Sequence, residues 1–62
     1  METKLNFDEE LAVANAISLR IRSVSETIDQ ARALRLDVHV LCEIRETLMS
    51  AYRKLTGVDY KL

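Results

Sequence analysis

Proline is absent and Gly57 is the only glycine. The two residues that most strongly interrupt a chain are therefore missing from residues 1–56, which favours helix over that whole length. Cys42 is the only cysteine, so no disulfide can form within the chain. Cys42 and His39 are also the only soft metal ligands, whereas a structural zinc site takes four. No metal and no cofactor is expected. Long apolar runs are missing too. The longest nearly uncharged stretch, Leu11 to Leu19, falls far short of the ~20 apolar residues of a membrane span. A basic leader followed by an apolar run is not seen, so no signal peptide is expected. Charge of one sign is not in excess: the net charge is −1 and both signs are mixed along the chain. No global field favours nucleic acid or an anionic membrane. With a single unpaired cysteine, these features lead us to expect a cytoplasmic protein that does not associate with membranes.

What remains is a chain of 62 residues, 48% of them hydrophobic. That length allows one domain, residues 1–62, and a chain so short buries little of its surface when folded alone. With disulfides and metals set aside, association with another chain is the remaining route to stability.

The first helix is expected to begin after Asn6. Asn6 with Glu9 three residues on forms a capping box, and Asp8, Glu9 and Glu10 place negative charge at the positive end of the helix dipole. From there Ala14, Ile17, Ile21, Val24, Ile28 and Ala31 follow in alternating steps of three and four, a heptad seam. The break falls at Arg35 to Asp37. Arg32 and Arg35 suit the negative end of the first helix, Asp37 suits the N-cap of a second, and Leu36 and Leu41 are spaced as a hydrophobic staple. The second seam reads Leu41, Ile44, Leu48, Ala51, Leu55, and Gly57 fits a Schellman ending with Val58 folding back on the last turn.

One continuous helix through Leu34, Val38 and Leu41 is the rival reading. It requires three-residue steps that overwind a coiled coil, and Leu36 to Val40 contains poor helix formers. The expected fold is all-α: an antiparallel hairpin of two helices, about 7–34 and 38–56, with a short flexible N-terminus and a tail at 57–62. Two such hairpins are expected to pair as a homodimeric four-helix bundle.

The helices carry more apolar residues than one seam needs. On the second, Val38, Cys42, Met49 and Tyr52 form another stripe, interrupted by Arg45. On the first, Val13, Ala16 and Leu19 lie off the seam. The first helix is longer by ~13 Å, and its overhanging end is the apolar one. A dimer mate, a target protein or the tail is expected to cover that end. In the tail Val58, Tyr60 and Leu62 alternate with polar residues, as in an extended segment packing one side, and Leu5 and Phe7 are placed to join it.

No arrangement of residues points to catalysis. His39 precedes Cys42 by three residues, but it lies near the turn with no oxyanion hole, and it is expected to face solvent; Cys42 reads as a small apolar residue. Glu43 and Glu46 are expected to pair with Arg45, Arg53 and their neighbours, and Glu26 and Asp29 are similarly solvated. No enzymatic activity is expected. Arg20, Arg22, Arg32 and Arg35, with Asn15, Ser18, Thr27 and Gln30 among them, would give a dimer a basic face for phosphates. Against this stand the acidic residues nearby, the want of interleaved aromatics and the absence of a helix-turn-helix pattern.

The layout, and locally the stretch Ala51-Tyr52-Arg53, resembles the repressor-of-primer family of plasmid copy-number regulators. The resemblance implies a short helical hairpin that dimerises as a four-helix bundle and holds RNA loops through its first helix. No RNA-contact motif is shared, so no binding residue is carried over. The expected function is a small non-enzymatic regulator or adaptor that binds and inhibits a larger protein through a helical surface. Leu11, Leu19, Met49 and Tyr52 are the candidate contacts, with Arg20 and Arg22 at the rim. RNA or DNA binding by the Arg-bearing face, and service as a chaperone or structural subunit for another helical protein, are the alternatives.

Overall fold

A computed structural model describes residues 4–61. The chain forms two α-helices, α1 (Phe7–Ala33) and α2 (His39–Thr56), and no strand among the described residues. They run antiparallel as a hairpin, 46 × 19 × 16 Å overall. The break expected between them is real, and the single long helix is excluded.

The start of α1 follows from its first residues. Asn6 Oδ1 accepts the backbone N–H of Glu9 at 2.8 Å, and Glu9 Oε1 accepts that of Asn6 at 2.9 Å. The capping box thus satisfies two N–H groups that a bare helix end leaves orphaned. Ala14, Ile21, Val24 and Ile28 are the buried residues, with Ile21 and Ile28 wholly enclosed. All four belong to the heptad seam, and Ile17 and Ala31 flank them half-buried.

α1 ends in a way its sequence did not announce. Arg35 takes the left-handed conformation, φ 59°. Its N–H donates to the carbonyl of Arg32, and the Leu36 N–H reaches back to the carbonyl of Ala31 at 2.9 Å. These two bonds make a full Schellman motif, built on an arginine where glycine is usual. Gly57, where that motif was expected, ends α2 in the simpler left-handed cap. Its φ is 74°, and its N–H donates to Arg53 at 2.7 Å. Val58 does not fold back: it remains exposed, its N–H taken by Thr56 Oγ1.

Val38, not Asp37, is the N-cap of α2 and makes no side-chain capping bond; Asp37 stands one residue earlier, where its Oδ1 accepts the N–H of His39 at 2.9 Å as an Asx turn. Leu36, half of the expected staple, stays 59% exposed.

α2 packs with a face rotated from the expected seam. Val38, Leu41, Cys42, Arg45, Leu48, Met49, Tyr52 and Leu55 are half-buried, whereas Ile44 and Ala51 are exposed. Arg45 is half-buried and borders the hollow beneath the tail, so a charged residue takes a packed position and Ile44 beside it does not.

The tail is held rather than free. Asp59 pairs with Arg53 at 3.3 Å, and Tyr60 meets Tyr52 edge to face. It therefore turns back over the middle of the hairpin and leaves the overhanging end of α1 uncovered, with Phe7 72% exposed. Leu62, the last residue of the expected alternation, lies outside the described residues.

Candidate functional site

The hairpin has two broad faces of opposite character. Two contacts locate the first. Arg32 Nη2 lies 3.9 Å from Cys42 Sγ, and Arg22, Ser25, Asp29, Arg45, Tyr60 and Lys61 surround one hollow. On α1 these residues sit about 100° to the same side of the buried Ile21, Val24 and Ile28. This face is polar, and the tail lies across it. Ser25 Oγ is shut off from solvent there and has no hydrogen-bond partner among the described residues. Sequence reasoning missed this grouping. Its one local sign was Arg45, interrupting an apolar stripe.

The opposite face is made by residues that precede the core positions. On α1 these are Val13, Arg20 and Thr27, beside Ile17 and Val24. On α2 they are Ile44 and Ala51, beside Leu41, Leu48 and Leu55. Val13 is 40% and Ile44 38% exposed. Val40, Glu43, Ile44, Thr47 and Leu48 line a shallow trough. Charge is sparser here than on the tail side: Arg20 stands on α1, and Glu43 and Lys54 border Ile44 and Ala51 on α2.

The six candidate partner contacts do not gather into one cluster. Leu11 and Leu19 are exposed, and with Arg22 their spacing of eight and then three residues sets them along one outward stripe of α1. Leu11 also borders a hollow at the end of the hairpin with Phe7, Glu10, Ala14, Leu55 and Thr56. Met49 and Tyr52 are half-buried on α2, Tyr52 beneath the tail. Arg20 lies on the other side of α1. The four arginines of the nucleic-acid reading are likewise divided. Arg22 and Arg32 share the polar face, Arg20 is on the opposite one, and Arg35 is in the turn.

Among the described residues no group of three or more His, Cys, Asp or Glu side chains is placed to hold a metal ion. No helix there is long and apolar enough to cross a membrane. His39 is exposed, its Nε2 3.0 Å from Glu43 Oε1, so Glu43 pairs with the histidine rather than with an arginine. Cys42 is a free thiol, half-buried in the helix contact. No protein-family model, curated protein or solved structure matches this chain.

Proposed function

We propose that this chain is a small cytoplasmic regulator or adaptor, without enzymatic activity of its own, that acts as a homodimer and inhibits a larger protein by docking a helical surface onto it. One observation carries the reading. The hairpin encloses only four of its described residues, while Phe7, Leu11 and Leu19 stand out from the α1 surface. Leu11, Leu19 and Arg22 fall along one stripe at helical spacing, the pattern with which a helix enters a partner's groove. Leucines at the centre and an arginine at the rim suit such a contact.

The test is capture from the native host by tagged chain, with mass spectrometry and parallel nuclease treatment. Leu19→Glu should keep its helicity and dimeric mass and lose the captured protein. A Leu19→Glu chain that captures the same protein as the wild type, or that unfolds, would overturn the reading.

A second reading, RNA binding, draws on the polar face. Arg22, Arg45 and Lys61 converge there around one Asp29, an arrangement suited to a phosphate backbone. Titration with structured RNA separates the two readings. Binding that weakens steeply with salt and is lost in Arg22→Gln supports RNA; no binding at low salt removes it.

A further inference from the structure

We infer that a second copy of this chain docks on the broad face opposite the tail, and that Val13 and Ile17 of α1 with Leu41, Ile44, Leu48 and Leu55 of α2 form the contact. The inference rests on the dimeric reading above and gives that dimer a face.

The amount of exposed surface is the first argument. The chain exposes 5227 Å². A compact chain of its 7.1 kDa would expose about 4,100 Å² by the scaling of area with mass. The surplus is roughly 1,100 Å² by that scaling. Each partner in a standard-sized interface contributes ~800 Å². The hairpin therefore leaves uncovered about as much area as a stable dimer removes from water.

The seam of α2 is the second. Leu41, Ile44, Leu48, Ala51 and Leu55 keep a strict heptad spacing, yet the hairpin contact is centred elsewhere, near Arg45. Ile44 and Ala51 are left exposed and Leu41, Leu48 and Leu55 half-covered. A heptad seam aimed between two neighbours is what a helix in a four-helix bundle requires: one neighbour is its own hairpin partner, the other comes from the second chain. On α1, Val13 and Ile17 lean to the same side.

Charge is the third. Two copies meeting through a two-fold axis present the same patch to each other, so that patch must tolerate itself. The tail side carries Arg22, Asp29, Arg32, Arg45, Arg53, Asp59 and Lys61, and the tail already lies across it. The opposite face carries fewer charges and both signs: Arg20 on α1, whose long stem can lie flat with its head group at the rim, and Glu43 and Lys54 beside Ile44 and Ala51 on α2. This is the face on which a copy meets the least charge.

Sedimentation equilibrium on the full chain, with circular dichroism alongside, tests the assignment. The wild type should sediment at twice 7.1 kDa. Ile44→Glu should raise the dimer dissociation constant about a hundredfold or more, because a carboxylate is forced into an apolar contact. Leu19→Glu, altered on the outward stripe, should leave that constant unchanged. Isotope-filtered NMR on a mixture of labelled and unlabelled wild-type chain keeps the test open if Ile44→Glu fails to fold. Intermolecular contacts should appear at the Ile44, Leu48 and Val13 methyl groups and not at Leu19. A dimer that withstands Ile44→Glu, or whose intermolecular contacts fall on Leu19 or Tyr60, overturns this face but leaves a dimeric adaptor standing. A wild-type monomer overturns both the face and the dimer, whatever the capture experiment finds.

Discussion

The ring of Tyr60 stands edge-on to that of Tyr52, with centroids 5.3 Å apart and planes at 85°. This pair, with the Arg53–Asp59 ion pair beside it, ties the tail across the polar side of the hairpin. An edge-to-face aromatic pair contributes about 0.5–1.5 kcal/mol beyond its buried area. Tyr60→Ala should lower stability in urea titration by about 1 kcal/mol or slightly more and speed amide exchange at Asp59 and Lys61. The dimeric mass should not change, since the proposed interface lies on the other side. Dissociation of the dimer in Tyr60→Ala would place the tail in the interface instead.

Arg35 supplies the second prediction. A non-glycine residue in the left-handed region costs roughly 1–2 kcal/mol, and glycine gives part of that back through greater freedom in the unfolded chain. Arg35 is exposed, so its replacement removes little packing. Arg35→Gly should raise stability by about 0.5–1 kcal/mol, read from the urea midpoint at unchanged slope. Destabilisation would mean that the arginine side chain does something the turn geometry does not require.

Much of the fold could be read from the sequence because the determining partners are close together. The capping box needs only Asn6 and Glu9, and the α1 seam needs only its own spacing. The Asp37 turn needs only His39, two residues ahead, although the N-cap itself falls on Val38. The features that could not be read depend on partners far along the chain, or on a choice between neighbours. Nothing local to Arg35 says that it, rather than Gly57, will carry the Schellman motif. Ile44 and Arg45 compete for one position against α1, and hydrophobicity alone selects the wrong one. The resting place of Tyr60 depends on Tyr52, which only the completed helix presents. The candidate contacts Leu11 and Leu19 were legible as apolar residues off the seam, but the separation into a polar face and a more apolar one required the rotation of α2.

Ser25 leads to a third prediction. A buried hydroxyl without a partner costs about 1–3 kcal/mol in lost solvation. Ser25→Ala should therefore be neutral or stabilising by up to about 1 kcal/mol in thermal and urea unfolding. A loss of stability greater than that would show that the hydroxyl is bonded in solution.

The capping box gives a fourth. Asn6→Ala should cost about 0.5–2 kcal/mol and fray the first turn. Amide exchange at Asp8, Glu9 and Glu10 should quicken while Ile21 and Ile28 keep their protection. Exchange that quickens equally at all these positions would mean that the cap controls the whole hairpin.

The central claim is that one hairpin does not satisfy its own apolar surface and is completed by a second copy. It is tested most directly by the melting temperature of the wild-type chain across a wide range of concentrations. Folding coupled to association makes that temperature rise with concentration. The account predicts such a rise, with the dimer dominant at the upper end. A melting temperature that stays constant while the chain sediments as a folded monomer of 7.1 kDa would contradict it.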